Sequence, residues 1–308
     1  MTHGREFDPS VIALLGPDVS DHRLTRPDGR VVAWSEAGVA AGRPMLRIPG
    51  TPGSRLTLRA DRSAWFARGL RMITTERQGF GASTRLEGRG FDEHADDLAA
   101  ILDALSIERL PVYGGSGAAP HILAFAARHP GRVSAATIVV GAAPMVEAEL
   151  EAQIEVNATG SRLIREGRLD ELWELNASYR DAILADPLAG FAEMMADSTD
   201  ADRAVMADPA WQRGFVIGIS EALRQGPGGW FDEDVAIERP WGFDPATIAT
   251  DITWWHSDGD RNAPLSAARR LVGSLPHARL QIWTAAGHLT PFHKEPEVLD
   301  ELLSRVGS

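Results

Sequence analysis

Ser116 lies in Val112-Tyr113-Gly114-Gly115-Ser116-Gly117-Ala118-Ala119-Pro120, where a short apolar run passes through glycines straight into helix-forming residues. A serine on so sharp a strand-to-helix turn needs Gly or Ala around it to let the two backbones pass, and its hydroxyl then stands clear at the sheet edge. The following helix aims its free N–H groups at the place where a reacting carbonyl oxygen would gain negative charge. These are the features of a nucleophile elbow. A serine hydroxyl is a poor nucleophile until a base takes its proton and a carboxylate orients that base, so the chain must also offer a histidine and an acid.

It offers both, in order. Asp258 and Asp260 lie in Ser257-Asp258-Gly259-Asp260-Arg261-Asn262, just past an apolar run, and His288 lies in Ala286-Gly287-His288-Leu289, just past another. Both loops are expected to leave the carboxyl ends of parallel strands, on the edge that carries Ser116. Asp258 and Asp260 share one turn and both stay open as the acid, with Glu147 a more remote candidate; His293 is the competitor of His288. The other histidines, His3, His22, His94, His121, His129, His256 and His277, lack ligand spacing, so no metal is expected. No glycine-rich phosphate loop follows the first strand and the chain has no Cys, so no cofactor and no thiol chemistry are expected.

The elements that must position these residues alternate. Arg23 to Thr25 and Val31 to Trp34 are expected strands around a Pro27-Asp28-Gly29 turn, followed by strands at Met45 to Ile48, Met72 to Thr75, Leu110 to Tyr113 and Ala136 to Val140. Leu98, Ile101, Leu102 and Leu105 recur at helical spacing, and Ile122, Leu123 and Phe125 continue the helix after the elbow. From Met145 to about Gln225 there is no convincing strand, and Asp186-Pro187 and Asp208-Pro209 break the helices. Alternation resumes with a strand at Ile252 to Trp255, a helix at Ser266 to Leu275, a strand at Leu280 to Trp283 and a last helix carrying Val298, Leu299, Leu302, Leu303 and Val306. The expected architecture is α/β, a mostly parallel sheet flanked by helices and interrupted by a helical insertion.

On these motifs the chain is identified as a member of the α/β-hydrolase superfamily, in the serine-nucleophile group with a helical cap after the sixth strand. Pro49-Gly50-Thr51-Pro52-Gly53-Ser54-Arg55 is similar to the family's His-Gly-x-Pro-Gly loop, and Glu76-Arg77-Gln78-Gly79-Phe80-Gly81-Ala82-Ser83 resembles its Asp-Arg-Pro-Gly-x-Gly-x-Ser. The resemblance implies an eight-stranded sheet, a core at residues 1–144 and 241–308, and a cap or lid at 145–240. It further implies Ser116 as nucleophile, His288 as general base, Asp260 as the acid, and the backbone N–H groups of Thr51 and Gly117 as oxyanion hole. Pro49 departs from the pattern: the family's usual His props this loop by hydrogen bonding, so the loop is expected to be held differently. Ala118 for Gly, Ser257 for Gly and Glu76 for Asp are smaller departures.

The implied activity is hydrolysis of a carboxylic ester or lactone of medium size and largely apolar character through an acyl-enzyme. Trp211, Phe215 and Met194, from an insertion rich in aromatics and methionine, are the candidate substrate contacts. Two alternatives accompany it: a C–C bond hydrolase or perhydrolase using the same triad, and a ligand-binding protein or lyase that kept the fold but lost hydrolysis, for which Pro49 is the warrant. Serine at position 116 counts against haloalkane dehalogenase and epoxide hydrolase chemistry, whose relatives carry Asp there.

Composition bounds the rest. With 308 residues, 44% of them hydrophobic and 24% charged, the chain suits one globular catalytic unit with an insertion. The net charge of −12 argues against nucleic acid, and no apolar run approaches the roughly 20 residues that span a bilayer. Met1 to Ser20, with Asp8 and Asp18, lacks a signal-peptide pattern, and a cytoplasmic monomer or homodimer is the expectation. Between Met145 and Pro240 there are 20 acids and 8 Arg with no Lys, against 23 acids and 23 bases elsewhere, which suggests a distinct unit with a solvated acidic exterior.

Overall fold

Eight strands form one sheet in the computed structural model, which describes residues 10–307; His3 and Asp8 lie outside the described residues. The strands are β1 (Ser20–Thr25), β2 (Val31–Gly38), β3 (Arg43–Ile48), β4 (Leu70–Thr75), β5 (Leu110–Gly115), β6 (Val133–Val139), β7 (Ile252–Ser257) and β8 (Ala278–Trp283). Their spatial order is β1-β2-β4-β3-β5-β6-β7-β8. β2 pairs antiparallel with β1 and with β4, and the remaining pairings are parallel. The Pro27-Asp28-Gly29 turn forms as expected, with Arg26 N–H donating to Arg30 O at 2.8 Å and Gly29 at φ +86°. β2 runs past Trp34, where the apolar run ends, because pairing with β4 continues from Trp34 opposite Thr75 to Gly38 opposite Arg71. Backbone pairing, not hydrophobicity, sets its length.

Helices cover both faces. On one, α1 (Ser10–Leu15), α2 (Ser63–Ala67) and α13 (Pro291–Arg305) pack with Met45, Met72, Tyr113 and Trp283; on the other, α3 (Asp92–Ala104), α4 (Ala118–Arg128) and α12 (Leu265–Val272) pack with Leu46, Ile48, Val112 and Ile138. Leu98, Ile101 and Leu102 of α3 are wholly buried, as their spacing requires. α12 stops at Val272, short of Leu275, where Gly273 follows and Pro276 disfavours helical geometry in the residue before it.

Between β6 and β7 the chain forms seven α-helices: α5 (Glu147–Leu150), α6 (Glu155–Arg165), α7 (Leu169–Ala185), α8 (Pro187–Met194), α9 (Asp200–Met206), α10 (Pro209–Leu223) and α11 (Gly228–Glu238). The two Asp-Pro breaks are restarts as well as stops. Asp186 accepts from the N–H groups of Leu188 and Ala189, both at 3.1 Å, and Asp208 from that of Ala210 at 2.7 Å, each with Pro at the first helical position.

The crossovers leave β3 for β4 on one side and return past β3 to β5 on the other, so connections diverge at the carboxyl ends of β3 and β5. Ser116 sits there. α4 reaches it only because the neighbouring residues are small: a Cβ on Gly114 would lie 2.4 Å from the Ile48 carbonyl oxygen and 2.8 Å from Ala118 Cβ. Gly114→Ala is therefore expected to destabilise the fold by about 1–3 kcal/mol through overpacking, read as a lower urea midpoint; an unchanged midpoint would show that β5 and α4 have room to part.

Candidate active site

Ser116 takes the left-handed conformation, φ +56°, as β5 turns into α4. Its N–H donates to Val139 O at 3.0 Å, and its own carbonyl accepts from Ala119 and Ala142, each at 3.0 Å, so the turn is tied to β6 and α4. The hydroxyl faces His288, with Ser116 Oγ 3.0 Å from Nε2. On the other side of the ring, Nδ1 lies 2.8 Å from Asp260 Oδ2 and 3.0 Å from Oδ1. With Nδ1–H donated to this carboxylate, Nε2 is left to accept from the serine. Asp260 is aimed inward by the N–H groups of Asn262 and Ala263, at 2.8 and 2.9 Å. Asp258 is exposed and instead accepts from Ala286 N–H at 3.2 Å. His293 pairs instead with Asp208 at 3.0 Å, and Glu147 with Arg165 at 2.9 Å.

Burial works against an imidazolium at His288, but the charge and hydrogen bond of Asp260, with Asp202 adding to them, raise its pKa above the ordinary 6.5. The loop that holds it is itself held from the insertion. Asp202 of α9 is buried and accepts the Leu289 N–H at 2.7 Å, and a Cβ on Gly287 would lie 2.4 Å from the same carboxylate.

Two cavities meet at Ser116 and His288, sharing Trp211 and Phe215 as walls. The smaller, about 220 Å³, runs toward α13; the larger, about 300 Å³, runs under α6, α7, α8, α10 and α11 and is also lined by Met194, Trp230, Asn176 and Asp234. Trp211 and Phe215 stack at 4.4 Å between centroids. All three expected substrate contacts therefore line these cavities. Burial, assisted by the neighbouring Glu233 and Glu238, pushes the Asp234 carboxyl up to about 7 against the opposing hydrogen bond from Asn176.

A sequence profile of the alpha/beta hydrolase fold matches residues 44–295. The chain belongs to the α/β hydrolase fold family. It is 25% identical over 269 residues to a non-heme haloperoxidase of Rhodococcus erythropolis, across 86% of this chain and 92% of that protein. It is also 25% identical over 260 residues to the 2-hydroxymuconate semialdehyde hydrolase of Pseudomonas sp. (strain CF600), across 81% and 82%. Among solved structures, a thermophilic esterase from Thermogutta terrifontis shares the fold with a TM-score of 0.65 over 94% of this chain and 100% of that one, at 18% identity.

Within this family framework the departure at Pro49 has a structural answer. Arg77, buried, donates to the carbonyls of Pro49 and of Gly50, the latter at 2.7 Å, and to Thr51 Oγ1 at 3.0 Å. Thr51 Oγ1 in turn donates to Glu233 Oε1 at 3.1 Å. Glu233, on α11, is fully buried; it pairs with Arg77 at 3.3 Å and with Arg89, and accepts from His121 Nε2 at 3.0 Å, whose Nδ1 meets His94 Nδ1 at 3.0 Å. Burial alone would raise the Glu233 carboxyl, but Arg77, His121 and Arg89 hold it well below the usual range, and burial lowers both histidines. The loop thus stands beside α4: a Cβ on Gly117 would lie 2.2 Å from Thr51 Oγ1 and 3.5 Å from Thr51 N. Among the described residues, neither the Thr51 nor the Gly117 N–H has an acceptor.

Sequence reasoning missed Glu233, Arg89 and His121 as supports of this loop. The one available signal was Arg77, inside a motif already singled out. Glu233→Gln is expected to cost about 3 kcal/mol or more in urea unfolding, since it leaves two buried guanidiniums short of charge. A carboxyl depressed below its unfolded value contributes stability above about pH 4.5 that is lost on acidification, so the pH dependence of the variant should be flatter below that point. Equal stability of variant and wild type would remove Glu233 from this role.

Proposed function

We propose that this chain is a serine hydrolase that cleaves a carboxylic ester or lactone of medium size through an acyl-enzyme on Ser116. The observation that carries the proposal is the unbroken hydrogen-bonded chain from Ser116 Oγ through both nitrogens of His288 to Asp260. In the proposed reaction His288 Nε2 takes the hydroxyl proton as Oγ attacks the carbonyl carbon, and the carbonyl oxygen gains the negative charge. The Thr51 and Gly117 N–H groups meet that charge. Collapse of the tetrahedral species breaks the acyl C–O bond, and His288 returns the proton to the leaving alcohol. Water then repeats the sequence, with His288 as base, to free the acid and Ser116. Asp260 keeps Nδ1 protonated and stabilises the imidazolium.

The helical segment 145–240 acts in this reading as the cap, because the larger cavity lies between it and the sheet edge. Apolar walls such as Trp211, Phe215 and Met194 suit a hydrophobic portion of the substrate. The esterase name of the structural neighbour and the semialdehyde hydrolase name of the relative fit the same residues; a panel of p-nitrophenyl esters, lactones and vinylogous diketones ranks these reactions by kcat/KM.

A fluorophosphonate probe is expected to label the wild type covalently and Ser116→Ala not at all; an unlabelled wild type would sink the hydrolase reading. His288→Ala should lower ester turnover by about three orders of magnitude or more, and nearly intact turnover would move the base elsewhere. Because the base must be neutral to accept the proton, and its pKa is raised, kcat/KM should climb with pH through a midpoint above 6.5. Asp260→Asn should shift that midpoint downward while cutting the rate; a midpoint that stays put would remove Asp260 from the titration.

A further inference from the structure

The smaller cavity contains a cation that, among the described residues, has no carboxylate within ion-pair distance. Along β3, Met45 packs in the cluster on the α13 face, whereas Leu46 and Ile48 pack in the opposite one. Alternation puts Arg47 on the α13 face, where an apolar residue would continue the pattern, and Arg47 lines the cavity beside Ser116. An arginine that breaks a local packing rule needs a compensating interaction, and such breaks concentrate at functional sites.

The protein supplies little of it. Arg47 Nη1 donates to the Thr57 carbonyl, and its guanidinium lies 5.9 Å from the Tyr113 ring centroid. Among the described residues no carboxylate comes within 4.0 Å of it. The nearby Glu295 is already taken: Oε2 accepts from Arg59 Nε at 2.9 Å and from Trp65 Nε1 at 3.3 Å, and Oε1 accepts from the Tyr113 hydroxyl. Arg59 is likewise engaged, donating to Pro291 O at 3.3 Å and stacking over Phe292 at 4.2 Å. The cavity therefore carries two guanidiniums against one carboxylate, beside apolar walls such as Val139 and Val140.

We propose that this cavity receives a carboxylate carried by the substrate, bound by Arg47 while the scissile carbonyl lies at Ser116. The inference rests on the hydrolase reading only for what happens at Ser116. A planar guanidinium offers a carboxylate two parallel N–H donors, and beside apolar walls that pairing is stronger than in bulk water. Arg47 is then a specificity determinant: the favoured substrate is the half-ester of a dicarboxylic acid or the ester of a hydroxy acid, apolar along its chain and anionic at one end.

Four esters test this. One pair carries the difference in the acyl half, mono-p-nitrophenyl adipate against p-nitrophenyl heptanoate; the other in the alcohol half, the butyrate esters of ω-hydroxyhexanoate and of hexanol. The wild type should favour the charged member of one pair by about tenfold or more in kcat/KM. In Arg47→Met that ratio should fall to about one, through KM more than kcat, and Arg47→Lys should keep an intermediate ratio. A ratio at or below one in both pairs, or a ratio unchanged in Arg47→Met, overturns the proposal. If no ester is cleaved, the hydrolase reading fails separately and calorimetric titration of Ser116→Ala decides. Tighter binding of monomethyl adipate than of methyl hexanoate, lost in the Ser116→Ala/Arg47→Met double variant, upholds the anion subsite, and equal binding overturns it.

Discussion

The left-handed backbone at Ser116 is the constraint around which the rest of the site is arranged. A non-glycine residue there costs about 1–3 kcal/mol and persists only where its surroundings over-determine it. Here they do: Val139 O takes the Ser116 N–H, two further N–H groups bind its carbonyl, and Gly114, Gly115 and Gly117 admit Ile48, Val139 and Thr51 where a Cβ would collide. The ends of neighbouring strands share this character. Val140 follows β6 at φ +44°, and Ala285 lies two residues beyond β8 at φ +53°. The edge that presents Ser116 and His288 is thus where the backbone departs most from its easy conformations, held by the sheet beneath it.

Charge joins the helical segment to that edge. The acidic excess of residues 145–240 had suggested a solvated exterior, but part of it is interior. Asp202, Glu221, Asp232 and Glu233 are buried: Glu221 and Asp232 bind Arg55 and Arg85 at 2.6 and 2.7 Å, Glu233 binds Arg77 and Arg89, and Asp202 holds the His288 loop. The balance of charge outside the segment conceals arginines that meet these carboxylates. Buried pairs repay little of their desolvation cost, yet losing one partner leaves a charge stranded, so the contacts fix where the helices dock more than they add to stability. Two of those docking points, Glu233 and Asp202, end on the loops of Thr51 and His288.

What could be read from sequence follows from distance along the chain. Ser116, Asp260 and His288 each sit within a few residues of a strand end, so local pattern sufficed to mark them as candidates and the order of strands to expect them at one edge. Asp258 and Asp260 could not be separated that way, because both occupy one turn; the difference lies in which side chain accepts the N–H groups of Asn262 and Ala263 and is thereby turned inward. The brace of the Thr51 loop was out of reach, since Thr51 and Glu233 are 182 residues apart and neither has a local partner that marks it. Pro49 showed only that the usual support was missing. It carried no information on Arg77 as the replacement, because a guanidinium reaches backbone carbonyls on a neighbouring loop without any spacing rule in the sequence.

The cavities refine the idea of an apolar pocket. Trp211 and Phe215 wall both of them, but each also contains an ionisable group: the Arg47 guanidinium on one side, and on the other the Asp234 carboxyl, pushed up to about 7 by burial. Apolar walls lower the effective dielectric, so a polar group among them acts more strongly on a ligand than it would at the surface. Hydrophobic lining and charged ends are therefore not competing descriptions. The walls offer affinity to many chains of suitable girth and choose poorly among them, whereas a few enclosed polar groups penalise any ligand that leaves them unmatched.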